Sequence, residues 1–143
     1  MFNNVLLPYD FGNDFSSIPA QLEKVVDKDS TVIIYHVVTE NDLATSVKYY
    51  NKHSNDIAKE KEEQLAPFLQ ELDERGIRYK VEIEFGPIKD TILEKINKGD
   101  IESGDFDLVI MSNHRVSLNI KHVLGDVTHK IAKRSPVPVL IVK

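Results

Sequence analysis

Apolar positions follow two rhythms along this chain, short unbroken or alternating runs and helical spacing, and the two take turns. Val5-Leu6-Leu7-Pro8-Tyr9 is a short run closed by the polar segment Asp10-Phe11-Gly12-Asn13-Asp14. Runs of this length, bounded by turn residues, read as buried strands. Thr31 to Val38 is nearly continuous apolar and β-branched, as a central strand covered on both faces should be, and His36 is the exception within it. Arg78 to Phe85 alternates, with Tyr79, Val81, Ile83 and Phe85 on one side and Lys80, Glu82 and Glu84 on the other. That is the pattern of a half-exposed edge strand. Leu108-Val109-Ile110-Met111 and Val137 to Val142 are two further strand candidates.

Helical spacing fills the gaps. Ser16 or Ser17 can cap a first helix, with Pro19 tolerated in its first turn and Ile18, Leu22, Val25 and Val26 as its apolar stripe. A second runs from Ile57 through Leu65, Phe68, Leu69 and Leu72 to Gly76, which suits the position just past a helix end. Pro67 removes a backbone hydrogen bond within it and is expected to kink it. Gly86-Pro87 opens a third helix, buried along Ile88, Ile92, Leu93 and Ile96. The fourth follows Gly125-Asp126 and ends in Lys133-Arg134. Thr39 to Asn55 has no clear period and is expected to be a long loop, its Tyr49-Tyr50 packing on the nearest helix or meeting a ligand or partner. Five strands alternating with four helices predict one α/β domain over residues 1–143, a parallel sheet with helices on both faces.

Composition narrows the classes. A chain of 143 residues suits a single domain with a substantial core. The net charge of −5, without a basic stripe, argues against a nucleic-acid partner. The chain contains no cysteine, hence no disulfide and no thiolate metal site. No apolar run approaches the ~20 residues that cross a bilayer, and the amino terminus enters a strand pattern directly. A cytoplasmic protein without a membrane partner is expected.

The last third, Asp107 to Lys143, reads as one strand–loop–helix–strand unit, in which ligands sit at the carboxyl ends of the strands, beside the helix amino terminus. This segment resembles the carboxy-terminal half of the universal stress protein (UspA-like) family. The matching pieces run in order along the chain: Val5-Leu6-Leu7-Pro8-Tyr9-Asp10, Tyr35-His36-Val37, Gly86-Pro87-Ile88, Asp107 to Met111, and Ser135 to Val142. The resemblance implies a doubly wound five-stranded parallel sheet of order 3-2-1-4-5 with four flanking helices. Its ligand cleft would lie between the first and fourth strands. The candidate cofactor-binding positions it implies are Pro8, Tyr9, Asp10 and Val37, then Met111, Ser112, Asn113, His114 and Arg115, and finally Gly125, Asp126 and Val127. In nucleotide-binding relatives the aspartate matching Asp10 contacts the adenosine part of the ligand, and the backbone at the Val37 position contacts the base.

Those relatives carry Gly-x2-Gly-x9-Gly followed by Ser or Thr. Here the four positions hold Ser112, Arg115, Gly125 and Asp126, so one of them matches. Glycine allows the backbone to approach phosphate closely, and side chains at Ser112 and Arg115 take that space. Arg115 either fills the pocket or turns to solvent, or its guanidinium grips phosphate directly. Asp126 falls at the start of the fourth helix, where a carboxylate is expected to cap the helix, stabilising it by ~1 kcal/mol, and to repel an incoming polyphosphate. Asp10 reads equally as the cap of a turn.

Other chemistry finds little support. His122 and His129 lie seven apart with His114 nearby, but no carboxylate completes a ligand spacing, and no metal is expected. No strained nucleophile turn is present, so no catalytic residue is assigned. A two-component receiver shares this strand order, but its third strand would end in an acidic cluster rather than Phe85-Gly86. The expectation is therefore a non-enzymatic universal stress protein with no bound cofactor and weak or no ATP binding, dimeric through Val137 to Val142. The alternative is an ATP- or AMP-binding switch or slow ATPase.

Overall fold

Within each central strand, odd and even residues go to different cores. Val5 and Leu7, Val32 and Ile34, and Leu108 and Ile110 enter one apolar cluster, while Leu6, Ile33, Tyr35, Val37, Val109 and Met111 enter another. A strand places successive side chains on opposite faces, so continuous apolar runs need cover on both sides. The computed structural model describes residues 1–50, 53–113 and 125–143, the side chains of 46–50 and 54 excepted. Its strands are β1 (Asn4–Pro8), β2 (Thr31–Val38), β3 (Tyr79–Phe85), β4 (Leu108–Ser112) and β5 (Val139–Val142). They pair in parallel in the order β3-β2-β1-β4-β5. The expected order stands.

Six helices flank the sheet among the described residues, where the sequence predicted four. They are α1 (Ile18–Val25), α2 (Glu40–Tyr50), α3 (Ser54–Gln64), α4 (Ala66–Glu74), α5 (Ile88–Lys98) and α6 (Asp126–Arg134). Helices α1 and α4 close the first cluster through Ile18, Leu22, Phe68 and Leu72. Ile92 and Ile96 of α5 and Ile131 of α6 close the second.

Both extra helices have local causes. The expected loop holds α2, where the Thr39 hydroxyl accepts the Asp42 N–H at 3.2 Å and Glu40 and Asp42 stand in the first turn. Capping and acidic residues at a helix start can stabilise a segment that lacks an apolar period. The reading of Tyr49 and Tyr50 falls outside the described side chains. The expected kink at Pro67 appears as a one-residue interruption of the helix at Leu65, which keeps helical dihedrals at φ −78° and ψ −13°. Pro67 stands in the first turn of α4, and buried Leu65 ends one helix and begins the next, bonding back to the Lys61 carbonyl at 3.1 Å. Gly76 follows α4 at φ 70° with the Ile77 N–H on the Leu72 carbonyl at 3.0 Å, the termination its sequence position predicted.

At the amino ends of the strands, Asp107 accepts the N–H groups of Asn3 and Asn4 at 2.8 and 3.0 Å. Buried Asn4 donates in turn to the Gly104 carbonyl at 2.7 Å. β5 is shorter than predicted because the Ser135 hydroxyl holds Val137 in a turn, donating to its carbonyl at 2.8 Å. Leu6 is fully buried in β1. Leu6→Ala is expected to cost about 3 kcal/mol, read as a lower urea midpoint at an unchanged slope.

Candidate functional site

β1 and β4 lie side by side, but the chain leaves them toward opposite faces, β1 for α1 and β4 for α6. That divergence opens a cleft of about 80 Å³ at their carboxyl ends. Pro8, Tyr9, Asp10, Val37, Met111, Ser112 and Val127, all expected from the sequence, line it together. Asn13, Phe15, Tyr35, His36, Ile88, Ile92 and Thr128 line it as well and were not among the expected positions. For His36 the signal was present, a histidine inside an otherwise apolar strand. The cleft is small beside ligand pockets of roughly 300–1,000 Å³.

The side chains around it are largely committed to one another. Asp10 accepts the Gly12 N–H at 2.8 Å and the Asn13 amide at 2.9 Å, which makes it the cap of a turn. That donation fixes the Asn13 amide with its buried Oδ1, which has no partner among the described residues, in the cleft wall, where a ligand donor can meet it. The Tyr9 ring stacks on Phe15 at 4.1 Å and meets Phe11 and Phe68 edge-on, within an aromatic cluster. Ser112, the buried last residue of β4, donates its hydroxyl to the Asp14 carbonyl at 2.8 Å and ties down the loop after β1. Next to it, Asn113 Oδ1 accepts the Gly125 N–H at 2.9 Å, binding the end of β4 to the start of α6.

Asp126 departs from the expectation that it caps α6. The cap position is Gly125, and Asp126 is the first helical residue, its side chain 79% exposed and ion-paired with Lys89 of α5. From that position its carboxylate makes no cap hydrogen bond and pairs with a cation of the neighbouring helix instead. The Lys89 ammonium holds the Asp126 carboxyl below the usual carboxylate range. His114 and Arg115 lie outside the described residues. Among the described residues, no group of three or more His, Asp or Glu side chains is placed to hold a metal ion.

The model of the universal stress protein family matches residues 1–143. The universal stress protein MJ0577 of Methanocaldococcus jannaschii is 27% identical over 166 residues, which take in 100% of this chain and 96% of that protein. Its solved structure gives a TM-score of 0.74 at 28% identity, again over 100% and 96% of the two chains. Universal stress protein UspA from Lactobacillus plantarum shares the fold at TM-score 0.70 and 16% identity, covering 99% of this chain and 97% of its own. So does a universal stress protein family protein from Arabidopsis thaliana solved with AMP bound, at TM-score 0.60 and 17% identity over 99% and 91%.

His36 gives the cleft a pH dependence. Its Nδ1 is 2.7 Å from the Tyr9 carbonyl, so that nitrogen carries the proton and donates, and its ring meets Phe11 edge-on at 4.8 Å. Burial pushes the imidazole below its ordinary value of 6.5, against the pull of the Tyr9 carbonyl, and the Lys61 ammonium adds to the fall. A histidine kept neutral by the fold contributes stability that is complete above pH 6.5 and is lost as pH drops from there through the folded-state value. Between about pH 7.5 and 5.5 the urea midpoint is expected to fall further in the native protein than in His36→Asn. Equal falls would show that His36 titrates alike in the folded and unfolded chain.

Proposed function

The chain belongs to the universal stress protein family, and from that premise we propose that it is a non-enzymatic stress-response or adaptor protein whose cleft binds ATP weakly or not at all. The observation that carries this reading is Asp126 at the first position of α6, a fixed negative charge where the helix amino terminus would otherwise attract phosphate. The engaged Gly125 N–H, the turn-bound Asp10 and the small cleft support it. No helix among the described residues is long and apolar enough to cross a membrane, and a cytoplasmic site of action is part of the proposal.

Lys89 favours a second reading. Its ammonium stands at the same helix start and neutralises Asp126, and turned toward a ligand it would serve a phosphate group in a nucleotide-dependent switch or slow ATPase. The Arabidopsis relative with AMP bound adds weight to that alternative. Titration calorimetry separates the two. The first reading expects Mg-ATP to bind no tighter than roughly 100 μM, and low-micromolar affinity would establish the second. Asp126→Ser should tighten ATP binding about tenfold by removing the like charge and freeing Lys89.

The adaptor proposal includes a homodimer. β5 is an outer strand whose four residues, Val139 to Val142, are apolar and only half-buried. Among the described residues nothing pairs with its outer edge, whose N–H and C=O groups a second copy can satisfy by antiparallel pairing about a two-fold axis. Sedimentation at micromolar concentration is expected to show a dimer, and Ile141→Lys a folded monomer. A monomeric native protein, or a variant that stays fully dimeric, would rule this interface out.

A further inference from the structure

The two outer strands of the sheet differ in kind. β5 is apolar throughout, whereas β3 carries Tyr79, Val81, Ile83 and Phe85 on one face and Lys80, Glu82 and Glu84 on the other. At the two ends of β3 the Arg78 carbonyl accepts the Val32 N–H at 3.0 Å, and the Gly86 N–H donates to the Val38 carbonyl at 3.0 Å. The backbone groups of a strand point alternately to its two edges, so those of Arg78, Lys80, Glu82, Glu84 and Gly86 turn toward β2. The N–H and C=O groups of Tyr79, Val81, Ile83 and Phe85 therefore point outward. Among the described residues nothing pairs with them.

Side-chain cover is incomplete along the same edge. Tyr79 and Val81 pack against the first apolar cluster, yet like Ile83 and Phe85 they stay half-buried. On the opposite face a groove of about 790 Å³ runs between β3 and α5, lined by five carboxylates against three lysines. The Lys80 ammonium meets Asp100 at 3.1 Å and Glu102 at 2.8 Å, and the Lys95 ammonium meets Glu82 at 2.6 Å. Lysine on an edge strand ordinarily discourages pairing, but here Lys80 is drawn back into the chain's own ion pairs. Glu84 is the exposed residue of β3, and among the described residues no lysine or arginine pairs with it.

We propose that β3 takes up an extended peptide as an added strand, one with basic residues on one face and apolar residues on the other. Main-chain hydrogen bonds to Tyr79, Val81, Ile83 and Phe85 hold it. Residues directly opposite in neighbouring strands share a face. The peptide's apolar side chains thus complete the cover over Val81 and Ile83, and its lysines or arginines stand beside Glu82 and Glu84.

A second copy suits this edge poorly. Antiparallel pairing along the whole of β3 would set Glu82 opposite Glu82, and like charges so placed are destabilising. The surface is separate from the cleft and from β5, so it stands whether or not nucleotide or a second copy binds there.

Two capped peptides long enough to span the seven residues of β3, one alternating valine with lysine and one valine with glutamate, test this. Each is titrated into the whole protein while amide NMR shifts and hydrogen exchange are followed. The basic peptide is expected to give saturable shifts along Tyr79 to Phe85. It should also slow exchange at Tyr79, Val81, Ile83 and Phe85, while Lys80, Glu82 and Glu84, already turned to β2, change little. The acidic peptide should do neither. Glu84→Lys, at an exposed position, should weaken the basic peptide about fivefold while thermal unfolding shows the variant folded. Equal binding of the two peptides, shifts mapping to β5 or the cleft, no added protection at the four outward amides, or undiminished binding to Glu84→Lys would overturn the proposal.

Discussion

β1 is hydrogen-bonded along both edges and covered on both faces, and the rest of the molecule is arranged around that enclosure. Parallel pairing with β2 and β4 uses its N–H and C=O groups on either side, and its side chains supply both cores. A strand so enclosed can meet solvent only at its ends. Its amino end is closed by the Asp107 carboxylate and buried Asn4. At its carboxyl end the chain must depart to one face while β4 departs to the other, so the cleft follows from the strand order itself.

What fills the cleft is decided by short polar side chains that satisfy one another. Ser112 reaches the Asp14 carbonyl, Asn113 the Gly125 amide and Asp10 its own turn. Each bond removes a group that a ligand would otherwise engage, and the Ser112 bond also ties the segment after β1 to the sheet. The same bonds that hold these segments together leave the cleft small.

The fold was legible because burial on two faces leaves a strong trace, unbroken apolar runs such as Val32 to Ile34. Helix α2 left a weaker one, since capping by Thr39 depends on a single residue and not on a period. At Pro67 the sequence showed the interruption itself, since proline lacks an N–H, while the anchoring of Leu65 in the core at that point is a tertiary fact. The cleft residues supplied by β1, β4 and α6 were readable from the resemblance and their order. Ile92 was readable only as core, and Ile88, expected in the same buried stripe, is instead 36% exposed, so the place of both on the cleft wall follows from how α5 packs and not from its period. Asp126 was placed correctly along the chain, and one helical position separated a cap from an outward ion pair.

The break between α3 and α4 also divides the chain by its tolerance of changed length. Leu65, Phe68 and Leu72 are buried, so α4 is held in rotational register by its own side chains. One residue inserted between Pro67 and Leu72 would turn everything after it by about 100° and bring Leu72 out of the core. Upstream of Leu65 the described side chains are mostly exposed, Ile57 being the buried exception in α3. Insertions or deletions among the exposed residues Glu40 to Asp42 therefore leave the sheet's register untouched. Evolution can lengthen or shorten this side of the molecule without renegotiating the rest.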